Sequence, residues 1–221
     1  MIYKNIHQIW FTGSVPEKFN TNITTLKNQH PCWSYKLWSE SDIVALLREH
    51  YADYLELFNS YTHVVQKCDI ARYFILHHCG GLYVDLDITF FKNIECVLSD
   101  RCVLFQANPA DGEGVIPGIL TNSIYYAPPG DKFMYNCIRM LNVNKNNYID
   151  DPNPGKHIFY TTSPGFLTKM YKWFSKTCDI RVNSHTYFEP VDAEQRLKFA
   201  DNLELPRDCI GLHMSIGDWW R

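Results

Sequence analysis

The chain has 221 residues, of which 46% are hydrophobic, 15% aromatic and 20% charged. This composition is typical of a folded globular protein and excludes a largely disordered one. The formal net charge of −3 gives no sign of the basic surface on which nucleic-acid binders depend, so we expect no nucleic-acid partner.

Strand and helix signals alternate from the start of the chain. This β-α-β-α opening predicts an α/β fold with a mostly parallel, Rossmann-like sheet flanked by helices. No shift in composition divides the sequence, so we predict a single domain over residues 1–221. In the first half of the chain, the predicted strands lie at 5–10, 33–38 and 82–84, and the predicted helices at 17–29, 41–50, 51–59 and 61–78, with Ser39 or Ser41 as the cap of the helix at 41–50. A strand at 102–107, a loop at 108–118, a strand-like stretch at 119–126 and a helix at 130–141 follow. The remaining predicted elements are an exposed loop at 142–156, a helix after Ser163-Pro164 and a strand near 209–213.

The eight cysteines are scattered and form no Cys-x-x-Cys pair, so a zinc site is not expected. Cys68, Cys79 and Cys102 lie in apolar stretches and are predicted to be buried thiols. No signal peptide or transmembrane segment is recognisable. We therefore expect a soluble, cytoplasmic protein in a reducing compartment.

The middle of the chain carries the most informative segment. Apolar residues recur at helical spacing from Val64 to Ile75, Gly80 and Gly81 end the helix, and an apolar strand at 82–84 follows. The apolarity of this strand predicts a central place in the sheet.

Asp85 and Asp87 follow this strand and are separated by one residue. Residues i and i+2 of a strand face the same side, so the two carboxylates are expected to project together. Carboxylates this close repel each other unless a cation lies between them, and oxygen ligands suit Mg²⁺ or Mn²⁺. Because ligands of open α/β sheets bind at the carboxyl ends of strands, we predict a metal site for a diphosphate.

Two other interpretations of this pair stay open. The aspartates are compatible with a solvated junction between strand and loop. The run from Asp85 to Thr89 also fits the nucleophile loop of haloacid-dehalogenase-like phosphatases, in which the first aspartate attacks phosphate. That loop normally follows the first strand, whereas several elements precede it here, and Asp150-Asp151 lies in a polar loop instead of the expected later acidic strand.

Asp69 and Arg72 are three residues apart and share a face of the predicted helix. An exposed ion pair there would contribute little. The helix is otherwise apolar and leads directly to the aspartate strand, which favours a buried, functional pair. A carboxylate can accept sugar or ribose hydroxyls, and a guanidinium can donate to hydroxyls or phosphate.

Aromatic residues at both ends of the chain are further candidates. Trp10 ends the first strand, where an indole could stack on a nucleobase, while His7 on that strand is predicted to be a core histidine. Near the C-terminus, His213 and Asp218 are candidates for completing the metal shell. Trp219 and Trp220 are candidates for covering the phosphates, although packing of this tail on the core is an equal alternative.

The sequence resembles glycosyltransferase family 32, the DXD-motif sugar transferases that include α-1,6-mannosyltransferases, with more distant similarity to the clostridial glucosylating toxins. The most specific block is CDIARYFILHHCGGLYVDLD (68–87). Further blocks in the same order are IHQIWFTG (6–13), WSYKLW (33–38), LTNSIYYAPPGDKF (120–133), TTSPGFLTKM (161–170) and HMSIGDWW (213–220). In two places the chain departs from the family, with Asp218 replacing a serine and Ser163 replacing a glycine.

The resemblance implies a GT-A fold, a nucleotide-sugar donor, Mn²⁺ or Mg²⁺ and retention of anomeric configuration. By position, Asp85 and Asp87 correspond to the metal and diphosphate pair. Asp69 and Arg72 correspond to donor sugar and ribose contacts, Trp10 to the base-stacking residue, and Asn122 to a residue near the reacting centre.

We therefore predict a metal-dependent, retaining transferase. It would move a hexose from a UDP- or GDP-sugar to a hydroxyl of a glycan, a lipid-linked acceptor or a protein. A haloacid-dehalogenase-like phosphatase and a non-catalytic nucleotide-sugar-binding protein on the same scaffold are the alternatives. A glycosidase needs two facing carboxylates, and the i, i+2 spacing gives no such geometry by itself.

Overall fold

A computed structural model describes residues 1–111, 118–198 and 204–216. The strands are β1 (Asn5–Ile9), β2 (Ser34–Trp38), β3 (Gly81–Val84), β4 (Ile88–Phe90), β5 (Cys102–Phe105), β6 (Ile124–Ala127), β7 (Ile180–Asn183) and β8 (Gly211–His213). The α-helices are α1 (Asn20–Gln29), α2 (Glu40–His50), α3 (Leu55–Ser60), α4 (Val64–Cys79), α5 (Lys132–Asn144), α6 (Pro154–Thr161), α7 (Pro164–Phe174) and α8 (Ala193–Leu197).

Six strands form one mixed sheet in the order β2-β1-β3-β6-β5-β7. The pairs β1–β2, β1–β3 and β5–β7 are parallel, and β6 runs antiparallel to both of its neighbours. The predicted mostly parallel sheet and the central place of β3 are thus confirmed. Strands β4 and β8 pair with each other in a separate two-stranded sheet.

Apolar layers cover both faces of the main sheet. One layer joins the sheet to helices α2, α3, α4, α5 and α7. The other includes Leu26 of α1, Ile88 and Phe90 of β4, and Phe188. Both faces of β3 are therefore covered, which explains why all four of its residues are buried.

Helix α4 lies inside the molecule. A helix that is apolar nearly all round is a buried helix, and α4 presents buried side chains in every direction from Val65 to Leu76. It ends at Gly80, whose φ of 62° suits glycine. A Cβ at Gly80 would collide with Pro129, and a Cβ at Gly81 would collide with the carbonyl oxygen of Asn5. The two glycines thus let the chain turn directly from α4 into β3.

Most predicted elements agree with the structure, including the Ser39 cap of α2, which forms a capping box with Asp42. The predicted loop at 142–156 is partly wrong, because α5 continues to Asn144 and α6 begins at Pro154. Its asparagines cap helices: the Asn144 amide donates to the carbonyl oxygen of Met140, and Asn153 caps α6. The strand predicted at 119–126 narrows to β6, preceded by a single bridge at Leu120.

Four short elements, β4, α6, β7 and α8, were not predicted. In the part of the chain that the structure describes, no helix is long and apolar enough to cross a membrane. Among the cysteines singled out, Cys68 and Cys102 are buried, and Cys79 is half-buried.

Candidate active site

The sheet topology brings the candidate residues to one edge. Strands β1 and β3 are parallel, so Trp10 and Asp85, which follow them, lie at the same edge. Strand β6 is antiparallel to β3, and therefore its start, preceded by Asn122, lies there too. His213 reaches this edge at the end of β8, which pairs with β4.

Asp85, Asp87 and His213 form a cluster with the chemistry of a metal site. One ligand atom from each lies within 4.8 Å of the other two. The strand itself ends at Val84, and Asp87 lies in the turn that follows. The two carboxylates therefore converge because the chain turns there, and the alternation of a strand is not the cause.

The two aspartates differ in their electrostatic environment. Burial raises the pKa of Asp85 to about 6, although Arg72 lies 3.3 Å away and the Tyr83 hydroxyl donates to its Oδ1 atom. Burial also disfavours the charged form of Asp87, but His213 and the backbone N–H of Ile216 outweigh it and hold the pKa of Asp87 below its usual value. Both carboxylates thus sit where additional positive charge is favourable.

A buried glutamate that sequence reasoning missed orients His213. Glu189 Oε1 lies 2.7 Å from His213 Nδ1, which leaves Nε2 facing Asp87 Oδ1 at 3.5 Å. Glu189 is itself fixed, because the backbone N–H of Asn108 donates to its Oε2 atom. Burial opposes protonation of His213, but the two carboxylates outweigh it and raise the pKa of His213 to about 10.

Asp69 and Arg72 form the predicted ion pair, 3.2 Å apart, with exposed side-chain fractions of only 1% and 5%. The Asp69 carboxylate also accepts hydrogen bonds from Asn122 Nδ2 and from the hydroxyls of Thr162 and Ser163. Four donors match the acceptor capacity of a carboxylate. Burial nevertheless raises the pKa of Asp69.

Arg72 occupies the centre of this network. Its guanidinium lies between Asp69 and Asp85, donates to the carbonyl oxygen of Asn122 and stacks over the Tyr83 ring at 4.6 Å. Its Nε atom is buried and has no hydrogen-bond partner among residues 1–111, 118–198 and 204–216. A buried donor without a partner is costly, which favours a bound oxygen at this position.

Two neighbouring cavities meet at Asp87. The Asp69–Arg72 cavity, about 250 Å³, is lined by both residues of the ion pair, Asp85, Asp87, Asn122 and His213 among others. The Trp10 cavity, about 460 Å³, is lined by Trp10, Phe19, His63, Asp87 and Ile216 among others. Trp10 packs edge-to-face on Phe19, with ring centroids 6.0 Å apart.

The structure thus brings together Trp10, Asp69, Arg72, Asp85, Asp87, Asn122 and His213. His7 is buried in the core as predicted, within hydrogen-bond distance of the Gly80 carbonyl oxygen and of Trp38. Asp218, Trp219 and Trp220 lie outside the described residues, so their proposed roles stay predictions. Sequence reasoning missed Thr162 and Glu189. Thr162 lies in the block TTSPGFLTKM (161–170), but nothing in that block singled it out, and Glu189 stands in a stretch with no pattern that marks a site.

Comparison with known proteins places this site in a family. Residues 16–104 match the family model described as "Glycosyltransferase sugar-binding region containing DXD motif". Inositol phosphoceramide mannosyltransferase 1 of Schizosaccharomyces pombe is 30% identical over 169 residues, which are 75% of this chain and 50% of that protein. Mannosyl phosphorylinositol ceramide synthase CSH1 of Saccharomyces cerevisiae is 29% identical over 183 residues, 81% of this chain and 46% of that protein. The chain therefore spans about half the length of these curated relatives.

Solved structures support the fold. The UDP-bound glycosyltransferase domain from the YGT toxin superposes with a TM-score of 0.55 at 10% identity, covering 92% of this chain and 87% of that one. PaToxG glycosyltransferase superposes with a TM-score of 0.54 at 16% identity, covering 80% of this chain and 70% of that one. The predicted GT-A-type fold is confirmed, and the phosphatase interpretation is not favoured. Residues 16–104 of the chain thus carry the sugar-binding region of the DXD-motif glycosyltransferases, family 32.

Proposed function

We propose that the chain is a retaining hexosyltransferase that uses a nucleotide-diphosphate sugar, with Mn²⁺ or Mg²⁺ as its cofactor. The observation that carries this proposal is the meeting of the two cavities at Asp87. A diphosphate held beside Asp87 would direct its nucleoside towards Trp10 and its sugar towards Arg72.

The Trp10 cavity suits the nucleoside. An indole offers a flat, apolar surface on which a base can stack, and Phe19 supports Trp10 from one side. Trp219 and Trp220 belong to the same proposal as residues that cover the phosphates. The proposal includes both UDP-sugars and GDP-sugars as donors.

The donor set at Asp85, Asp87 and His213 fits a divalent cation. Two carboxylates and one imidazole suit Mn²⁺ well. Because the aspartates are removed from solvent, their charged forms are unfavourable without a nearby positive charge. Asp218 is proposed as a further ligand. A divalent cation held there would offset the charge that develops on the departing nucleoside diphosphate.

Arg72 and Asp69 act on the sugar side of the proposed site. The unpartnered Nε donor of Arg72 can bind a phosphate or sugar oxygen. Asp69 fixes Arg72 and Asn122 through hydrogen bonds, and a sugar hydroxyl can reach its carboxylate by replacing one of the four present donors. Asn122 is thereby oriented into the Asp69–Arg72 cavity.

Retention of the anomeric configuration is proposed to occur without a nucleophile from the protein. Because the carboxylate oxygens of Asp69 are engaged by four donors, Asp69 is poorly suited to act as a nucleophile. The acceptor hydroxyl would attack from the face that the diphosphate leaves, and the departing diphosphate would take its proton. Positioning and charge stabilisation would then supply most of the rate.

The names of the curated relatives narrow the substrates. They point to mannose as the hexose and to inositol phosphoceramide, a lipid, as the acceptor. We extend both to this chain as a proposal, with a lipid-linked acceptor preferred over a glycan or a protein. A single transferase domain over residues 1–221 is part of the same proposal.

A donor panel tests this function. The protein would be incubated with Mn²⁺ and GDP-mannose, UDP-glucose, UDP-galactose or UDP-N-acetylglucosamine, and release of nucleoside diphosphate would be measured. With water as the acceptor of the hexose, we expect turnover of one donor, loss of turnover with chelator, and an NMR spectrum of the freshly released hexose, recorded before mutarotation, that shows the anomeric configuration of the donor. Donor binding without release under any condition would support the non-catalytic binding protein instead.

A further inference from the structure

A third cavity, the Trp173 cavity, lies beside the donor site. It encloses about 260 Å³ between α6, α7 and the segment that follows α5, and its walls include Tyr148, Tyr160, Lys169, Lys172 and Trp173. Tyr160 and Gly165 line this cavity, whereas their chain neighbours Phe159 and Pro164 line the Asp69–Arg72 cavity. The two cavities are thus separated by little more than the chain itself.

The chain around this cavity has an unusual charge balance. Residues 139–176 contain six Lys and Arg but two Asp, a formal charge of +4. The remaining residues contain fifteen Lys and Arg against twenty-two Asp and Glu, a formal charge of −7. A segment with a net positive charge in an otherwise acidic chain therefore supplies most of the walls of the Trp173 cavity, including Lys169 and Lys172.

The same region exposes apolar side chains. Val143, Tyr148, Ile149 and Trp173 are each 50–67% exposed. We call these four side chains, together with Lys169 and Lys172, the Trp173 face; Tyr148, Trp173 and the two lysines line the Trp173 cavity. Large exposed apolar side chains together with lysines are the composition of a surface that lies in a lipid–water interface.

The aromatic residues of this face are held in place. Tyr148 adopts a φ of 58°, which is an outlier for a bulky side chain and persists only where the surroundings enforce it. Its ring packs on Tyr160 with centroids 4.7 Å apart. Lys169 lies 4.7 Å from the Trp173 ring centroid and also donates to Asn144. The rings are thus presented outwards by specific contacts.

We propose that the Trp173 face docks on an anionic lipid surface and that the Trp173 cavity receives the phosphate-bearing headgroup of the acceptor lipid. This inference rests on the proposed transferase function for the identity of the acceptor. The lysines would bind phosphate oxygens, the tyrosine and tryptophan rings would lie at the headgroup level, and Val143 and Ile149 would contact acyl chains. The adjoining Asp69–Arg72 cavity would then hold the hexose to be transferred.

Vesicle binding tests this proposal. The full chain would be co-sedimented with vesicles of phosphatidylcholine alone or of phosphatidylcholine with phosphatidylinositol. We expect binding only to the anionic vesicles, weakened about tenfold or more by Lys172→Glu and also by Trp173→Ala. Lys27→Glu, an exposed lysine on α1, makes the same charge change elsewhere and should bind like the wild type. Matching melting temperatures would show that all variants fold.

Two outcomes would overturn the proposal: equal binding of the wild type and Lys172→Glu to anionic vesicles, or binding of soluble inositol phosphate as tight as that of vesicles. Release of nucleoside diphosphate without lipid separates this inference from the proposed function. It should be unchanged in Lys172→Glu and Trp173→Ala. Vesicle binding as expected, with no donor turnover in any variant, would refute the transferase and leave the lipid surface standing.

Discussion

The charges of the Asp69–Arg72 cavity and those of the Trp173 face are held in opposite ways. In the cavity, the carboxylates of Asp69 and Asp87 are buried, the Asp85 side chain is 15% exposed, and each has several partners. On the face, Lys172 and its apolar neighbours are presented towards solvent. The first arrangement fixes geometry before a ligand arrives, as bond-making chemistry requires. The second arrangement leaves the side chains free to adjust to a partner whose structure varies, such as the proposed lipid surface.

The largest effect should come from the point at which the two donor cavities meet. Asp87→Asn keeps the size of the side chain but removes a charge from the proposed cation site, and we expect metal-dependent turnover to fall by about 10³-fold or more. Asp100→Asn, an exposed aspartate, is the matched control. Turnover of Asp87→Asn within tenfold of the wild type would refute the metal assignment.

Acid should act on the buried polar groups and leave the Trp173 face unaffected. Burial lowers the pKa of His7 to about 4, from 6.5 in the unfolded chain. The unfolded state therefore binds the proton first, and the contribution of His7 to stability is lost as the pH falls from 6.5 towards 4. The full difference is about 3 kcal/mol.

Asp85 has the opposite effect in the same pH window. Its pKa of about 6 makes the folded state gain stability as the pH falls. The contribution of His7 is therefore measured as a difference, by urea unfolding of the wild type and of His7→Gln between pH 4 and 7. The wild type should lose stability relative to the variant as the pH falls, and a constant difference would contradict the neutral His7.

Glu189→Gln should weaken the cation site without removing a ligand. The glutamine keeps the shape of the side chain but loses the charge that orients His213. A residue that hydrogen-bonds to a metal-binding histidine typically contributes 10–100-fold to metal affinity. Mn²⁺ titration followed by electron paramagnetic resonance measures this directly. Glu95→Gln, a half-exposed glutamate hydrogen-bonded to Trp33, is the control. Unchanged Mn²⁺ affinity would assign Glu189 a purely structural role.

The smallest effect concerns Ser163. Its hydroxyl donates to the Asp69 carboxylate, and hydrogen bonds to charged groups contribute about 1.5–3 kcal/mol. Ser163→Ala should lower kcat/KM by about tenfold while binding to anionic vesicles stays at the wild-type level. Loss of vesicle binding in this variant would contradict the assignment of vesicle binding to the Trp173 face alone, because Ser163 lines the Asp69–Arg72 cavity.

The sequence predicts those site residues that lie close together along the chain and misses those that only the tertiary fold brings together. Asp69, Arg72, Asp85 and Asp87 were predictable because they lie close together in one block with helical and strand patterns. Glu189 was not, because its partners His213 and Asn108 are 24 and 81 residues away and only the tertiary fold brings them together. Thr162 reaches Asp69 across 93 residues for the same reason.

The stretch 142–156 was misjudged from composition. Its asparagines and prolines suggested an exposed loop, yet Asn144 is buried, accepts from Lys169 and Asn147, and ends a helix. Side-chain amides can terminate helices as readily as they form turns, and composition alone does not distinguish the two uses.

Helix α4 has a consequence for redesign. Because nearly all of its positions from Val65 to Leu76 are buried, a substitution there changes both the packing of the core and the orientation of Asp69 and Arg72. Attempts to change which sugar is transferred by substituting this helix should mostly yield unfolded protein. Libraries aimed at new donors are better directed at Asn122, Ser163 and Phe159, which line the same cavity from elements outside α4.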